Sequence, residues 1–524
     1  MENIKAAKQI INFVIPFSFG EPYQNAYKDL DDSVLWSEIE SSQRENIMEH
    51  IDLLVRRNKD SVEPETIGRS FTLSQVGRKK YGLEKNEPSL YTYKYHNMVK
   101  GHESFLFSIP SIRIFLFETQ IGFLVYSIKF DDNLTVKKII EHCYYLKNFS
   151  KHYGGSYYRP KLVDTVYSFL EEKNIHVDKS IVRPKMKYGK TAQGIIKEFC
   201  EIDTSNDYSI LNSNEIEELN NKEVEVQLGL LAKNLVNPFK PETFFHEYEK
   251  EGGKYPSYAL IYTALTLDQQ FIKTEDGDVR EAFIKDCLFR MRRSFKGSYK
   301  PCARDLRLEG TEEVFQAFEN SYWGFSLEGL ANLSYLTEDK DTNSFFDSNY
   351  YGNLERSYFY LYVIALHQRY ALINLSKEAT LLPLTITDLM EDKENKIDRL
   401  REKIAYFNLR SAFRHVSHIS HQDIIYEHIH RSLHIDDFME KIESEVESIG
   451  SLADLQKDAR YKKSEKLYLG LTTIFVVMST ISAVWQLFDE FWTGAYQHEA
   501  YFAVSTAIIL IGLLVIFGRE RFVG

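Results

Sequence analysis

A chain of 524 residues is too long for one ordinary hydrophobic core, so two or three soluble parts are expected. A formal net charge of -12 argues against a general nucleic-acid binder, and a mean hydropathy of -0.35 gives the bulk of the chain a soluble character. The four cysteines, Cys143, Cys200, Cys287 and Cys302, are widely spaced with no CxxC or metal-like grouping, which fits a reduced cytosolic setting.

In chain order, residues 10–19 suit a strand. Residues 31–57 read as a helix, with Val34, Leu35, Ile39, Ile47, Ile51 and Leu54 near helical spacing. Residues 105–130 are apolar enough to imitate a membrane span. They contain Pro110, Arg113, Glu118 and a turn-like 119–122, so they read as two antiparallel strands. A helix is expected over 136–151, another over 190–199 and a third over 215–236. A soft boundary falls at 251–256, which divides an N-terminal α/β region, 1–253, from a second soluble region, 254–385.

Within the second region the composition shifts. Nine of the 28 residues from 280 to 307 are basic: Arg280, Lys285, Arg290, Arg292, Arg293, Lys296, Lys300, Arg304 and Arg307. Guanidinium forks and ammonium groups suit phosphate oxygens. Tyr322, Trp323 and Phe325 follow closely and can stack on a base. Arg290, Arg292, Arg293, Lys296, Lys300, Arg304, Arg307 and these three aromatics form a candidate ligand site. The plainer alternative is a solvated basic face, or one that meets acidic neighbours across a subunit interface.

Residues 354–379 form a long apolar helix whose Arg356, His367, Arg369 and Lys377 argue against a membrane span. Apolar residues then recur at Ile397, Leu400, Ile404 and Phe407, and again at Phe438, Ile442, Val446, Ile449 and Leu452. This spacing predicts one stalk helix over 386–466, about 120 Å long at about 1.5 Å per residue, with Gly450 as its weak point. Six of the 15 histidines lie in it: His415, His418, His421, His428, His430 and His434. His430 and His434, four apart, would share a helix face and can bind a transition metal. They can also sense pH. A polar layer between helices is the favoured reading, and no metal site is assigned.

Two uncharged apolar runs end the chain, 467–488 and 501–518, each long enough to cross about 30 Å of hydrocarbon as a helix. Arg460, Lys462, Lys463 and Lys466 precede the first, and Arg519 and Arg521 follow the second. The loop between them carries Asp489, Glu490 and Glu499 with no Lys or Arg. The positive-inside rule places both termini in the cytoplasm, in a multi-pass protein of the inner (plasma) membrane. The first twenty residues show no small-residue cleavage pattern, so this hairpin is expected to be the membrane address. Thr472, Val476, Ser479, Ala483 and Gln486 fall on one face of the first run, with Asp489 and Glu490 at its end. Such a face lines a water-filled path or packs helix on helix. As a pore lining it needs several subunits, and the acidic pair would favour cations. The expected fold is therefore an α+β cytoplasmic region, a long α-helical stalk and a C-terminal two-helix transmembrane hairpin, with a short tail at 519–524.

This order of parts resembles the CorA-like family of divalent-cation channels over about residues 354–521, most closely at TTIFVVMSTISAV and the basic tail. The resemblance implies a homo-oligomer, commonly a pentamer, with the first span around the pore. The family's Gly-Met-Asn after that span is absent: residues 487–492 read Leu-Phe-Asp-Glu-Phe-Trp. A large N-terminal region and a degenerate selectivity motif are also features of a divergent branch that accompanies type III CRISPR systems. That branch implies an antiviral membrane effector opened by a nucleotide messenger, such as a conjugate of S-adenosylmethionine and AMP (SAM-AMP). No other cofactor is implied beyond a divalent cation in the pore, and no direct nucleic-acid partner. Three functions stay open: a ligand-gated pore, a constitutive magnesium or other divalent-cation transporter, and a membrane-anchored enzyme. No Walker loop, nucleophile elbow or HExxH motif supports the last, so a non-enzyme is expected.

Overall fold

The computed structural model describes residues 3–39, 47–52, 67–81, 83, 91–97, 101–149, 156–159, 224–250, 253–273, 276–308, 312–381 and 391–491. The chain divides into two compact units, residues 1–377 with 404–442, and residues 378–403 with 443–524. The expected second span, the tail and the helix over 190–199 lie outside the described residues.

The larger unit is built on a 13-stranded sheet. Its first nine strands in chain order are β1 (Ala6–Phe19), β2 (Trp36–Glu38), β3 (Gly68–Leu73), β4 (Tyr91–Asn97), β5 (Gly101–Phe117), β6 (Ile121–Phe130), β7 (Ser156–Arg159), β8 (Val224–Gln227) and β9 (Pro241–Phe244). A separate two-stranded ribbon joins β10 (Glu247–Lys250) to β11 (Gly253–Pro256). The last four sheet strands are β12 (Leu260–Leu267), β13 (Val314–Phe318), β14 (Ser321–Phe325) and β15 (Gly329–Tyr335). The central path runs β13-β14-β15-β12-β1-β6-β5-β4-β7-β8. β12 pairs antiparallel with β1 and parallel with β15. Strands from both sides of the boundary expected near 253 therefore share one sheet.

The apolar stretch 105–130 is a long hairpin. β5 and β6 pair antiparallel from Phe107↔Phe130 to Leu116↔Gly122, and Gln120 turns the chain with φ 61°. Its hydrophobic run is nearly continuous because both faces of the sheet are covered. On one face lie α1 (Tyr23–Asp31), α2 (Val136–Lys147), α3 (Leu228–Val236) and α4 (Gly277–Arg293), whose buried residues join the strands in one core. On the other lies α6 (Phe359–Thr380), which follows the short α5 (Lys340–Phe345) and two π-helical turns. Tyr360 meets Phe115 edge-on, His367 stacks on Phe117 at 4.0 Å, and Tyr370 meets Phe123. A helix apolar on most of its surface is a buried helix, which is how α6 carries that surface inside the larger unit.

His367 bonds Thr119 Oγ1 at 2.9 Å, and burial pushes its imidazole down to about 3. An unfolded imidazole takes up a proton below about pH 6.5 that the folded one refuses. The stabilisation is thus present above that pH and is lost as pH falls toward the folded value. It should cost about 2 kcal/mol at about pH 5. Urea midpoints of the wild type and His367→Leu, taken at neutral pH and at pH 5, check this: the acid loss should shrink by about that amount in the variant.

Three expected helices differ. The one expected over 215–236 begins only at Leu228, because Val224–Gln227 pairs antiparallel with β7. Residues 31–57 are not one helix: α1 ends at Asp31, and Trp36–Glu38 pairs with β3 instead. The physical reason is Arg69 of β3, which is 3% exposed and is held by Asp31 at 2.7 Å and by Glu38 at 2.7–2.8 Å. The stretch 386–466 is likewise not one rod. It comprises α7 (Glu391–Arg410), α8 (Ser420–Ser432) and the start of α9 (Ile435–Phe491). After Arg410 the backbone finds other partners: Gln368 Nε2 donates to the Ser411 carbonyl at 2.6 Å, and the Val416 N–H donates to Asp423 at 3.0 Å. Ser417 forms a β-bridge with Ile47. His434, in the left-handed region at φ 52°, separates α8 from α9.

The smaller unit holds the first part of α7 and most of α9. At Gly450 the Arg401 guanidinium lies over the bare backbone, and a side chain there would push that flexible end group aside.

Candidate functional site

Two places in the molecule have the makings of a functional site. The first is the long helix α9. Within Tyr461–Val484, after the basic residues Lys462, Lys463 and Lys466, it has an 18-residue apolar window with a mean hydropathy of 1.9, none of which is buried. Phe475 is 77% exposed and Met478 65%. A soluble helix does not leave such a surface to water without a partner or a lipid phase to cover it. Thr472 Oγ1 donates to the Tyr468 carbonyl, Thr473 to Leu469, and Ser479 and Thr480 to Val476, all at 2.7–2.8 Å. Hydroxyls satisfied by their own helix need no water, as a low-dielectric surrounding requires. Thr472, Val476, Ser479 and Ala483 are all exposed on it. Gln486, Asp489 and Glu490 lie in its last turns, so the helix continues through the acidic pair that was expected to open a loop.

The second place is the region around the basic segment, which does not form one patch. Arg290 is clamped by Asp286 at 2.8–3.0 Å and donates to the Lys296 and Tyr299 carbonyls. Arg292, 1% exposed, pairs with Glu313 and lies 3.7 Å from Asp305. Arg293 reaches Asp305 at 3.1 Å, and Arg304 approaches Glu313 at 3.9 Å. Asp305 and Glu313 thus hold three of the arginines. Lys296 sits over the Tyr144 ring, and Lys300 is exposed. Trp323 is wholly buried and donates to the Tyr350 hydroxyl at 3.2 Å, and Phe325 is buried against His428. These two rings are core, so they cannot offer a face to a ligand.

Arg307 and Tyr322 have a different setting. They line a cleft of about 1220 Å³ between the first turns of α4, the β13–β14 hairpin and α5. Arg280, Gln316, Phe318 and Tyr335 also line it. Tyr322 accepts a hydrogen bond from Gln316 Nε2 at 3.1 Å, and burial pushes its phenol up to about 12. Arg280 stands at the head of the basic run, and the cleft is where its position becomes informative. Nothing in the one-dimensional spacing joins it to Tyr322, 42 residues later.

The histidines disperse. His428 is sandwiched by Phe315 and Phe325, with ring centroids 5.1 Å from each, and burial lowers its pKa. His421 meets Phe318 edge-on. His415 pairs with Asp423 at 2.8 Å, while His418 is exposed. His430 lies in α8, 3.3 Å from Asp436, whereas His434 lies beyond the end of that helix. The two do not share a helix face. Among the described residues, no three His, Cys, Asp or Glu side chains group to hold a metal.

No family model matches this chain, and no curated protein does. Among solved structures, the complete CorA magnesium transporter from Methanocaldococcus jannaschii is similar at 13% identity, over 53% of this chain and 93% of that one, with a TM-score of 0.21. A score that low carries no argument about fold or activity.

Proposed function

We propose that this chain is a subunit of a CorA-like homo-oligomeric channel in the plasma membrane, gated from its α+β unit by a small nucleotide messenger such as SAM-AMP, and that it serves as an antiviral effector of a type III CRISPR system. The observation that carries the membrane part is the uncovered apolar window of α9 that follows Lys466, within Tyr461–Val484. Its helix begins at Ile435, directly after α8, and continues to Phe491 without a break. The order of parts and the basic flanks support the channel reading. The missing Gly-Met-Asn weighs against magnesium selectivity. A ligand opens such a pore only by binding the open state more tightly than the closed one. No enzymatic step is assigned.

The test is ion flux from liposomes carrying the full-length protein, with and without a panel of nucleotide messengers. Flux that rises at least tenfold with one messenger is the expected result. Equal divalent-cation flux without any messenger would replace this reading with a constitutive transporter, and no flux under any condition would reject a channel.

A further inference from the structure

The cleft beside β13 has a lining from which its ligand can be read. Arg280 and Arg307 line it, and neither has a carboxylate partner among the described residues. Arg280 makes one long contact, to the Ile272 carbonyl at 3.5 Å. Four carboxylates also line the cleft: Glu281, Glu319, Asp339 and Asp341. Two of these are engaged elsewhere. Glu281 pairs with Lys285 at 2.5 Å, and Asp339 caps α5 through the Thr342 N–H at 2.8 Å. Glu319 and Asp341 remain, so a ligand with several negative charges would meet repulsion as well as attraction. Phe318, packed edge-on against Phe345, Phe346 and Tyr350, and Tyr322, 9% exposed, each present part of a ring to the cleft. The Tyr322 phenol stays protonated at neutral pH and has a hydrogen to donate, since its oxygen already accepts from Gln316. The volume is ample for a small molecule, whose sites usually span about 300–1,000 Å³.

We propose that this cleft binds a planar-ring molecule carrying a single phosphate-like group, with Arg280 and Arg307 holding the anion and the Phe318–Tyr322 wall holding the ring. The proposal rests on the reading of the α+β unit as a ligand sensor and gives that sensor its place and its ligand chemistry. It moves the site away from Arg290, Arg292 and Arg293, whose charges are already spent on Asp286, Asp305 and Glu313.

The experiment is calorimetric titration of the full-length protein in nanodiscs with four probes: AMP, adenosine, ATP without magnesium, and inorganic phosphate. AMP should bind. Adenosine and inorganic phosphate should each bind at least about tenfold more weakly, because each lacks one of the two recognised parts. ATP should bind no more tightly than AMP, on account of the carboxylates. The double variant Arg280→Gln with Arg307→Gln should weaken AMP at least about tenfold. Its thermal midpoint should match the wild type, since neither side chain is part of the core. Equal AMP affinity in the variant, equal affinity for adenosine and AMP, or no heat with any probe would each overturn the proposal. Those failures are separable from failure of the channel. Messenger-triggered flux that persists in the double variant rejects the cleft alone, whereas arginine-dependent AMP binding with no flux rejects the channel alone.

Discussion

Glu313→Ala is expected to destabilise the larger unit by about 3–5 kcal/mol, the cost of stripping a buried ion pair of one partner. Arg292 is the reason. Its side chain is 1% exposed, burial pushes its pKa down, and Glu313 is its nearer anion. Without the Glu313 side chain the guanidinium keeps the carbonyl of residue 313, at 3.3 Å, and as counter-charge Asp305 at 3.7 Å, for which Arg293 competes at 3.1 Å. Arg304→Gln removes a 77% exposed partner of the same glutamate and should leave the unfolding midpoint where it is. Chemical denaturation of the two variants checks the contrast, and equal midpoints would show that the cluster is solvated. The same geometry warns against an obvious assay. Arg292→Ala with Arg293→Ala is the direct assay for messenger binding by these arginines, but lost binding in that variant would report a damaged fold. Only unaltered affinity would be informative, and it would exclude both arginines from the ligand.

Ile474→Arg is the second large effect. Ile474 is 61% exposed near the middle of the apolar window of α9, on the side of the helix opposite the Thr472–Val476–Ser479–Ala483 face. A charge at the centre of a spanning helix costs about 2.5–3.5 kcal/mol of insertion free energy. The variant should shift from the alkali-resistant membrane pellet to the soluble or aggregated fraction. Ser479→Arg places the same charge on the face read as pore-lining, where water can solvate it, so it should remain integrated and alter flux. If both variants lose the membrane equally, Ser479 faces lipid or another helix, and the pore lining must be sought elsewhere.

Where sequence and structure agree, the governing contacts are local. Pro110, Arg113 and Glu118 ruled out a membrane span at 105–130, and the turn at Gln120 divides β5 from β6 as its composition implies. The polar residues of α6 gave the same signal. The exceptions depend on partners far along the chain. Val34 and Ile39 have helical spacing with Ile47 and Ile51, yet Arg69 draws Asp31 and Glu38 into another arrangement. Residues 411–419 could propagate a helix, but Gln368 and Asp423 take their backbone groups. The basic run was visible as composition. Its sorting was not, because the carboxylates that neutralise Arg292 and Arg293 come from Asp305 and Glu313. Of the candidate ligand residues only Arg307 and Tyr322 reach the cleft, and Arg280 joins them from the opposite end of the run.

Among the described residues β13 is paired on one side only, to β14. Gln316 and Phe318 look into the cleft from this strand, while Phe315 and Phe318 seat His428 and His421 of α8. A partition one strand thick, tethered along a single border, yields to pressure more readily than an interior strand would. Whatever fills the hollow therefore leans on the same few rings that cradle the helix beyond, and that helix is the last one before His434 turns the chain into α9.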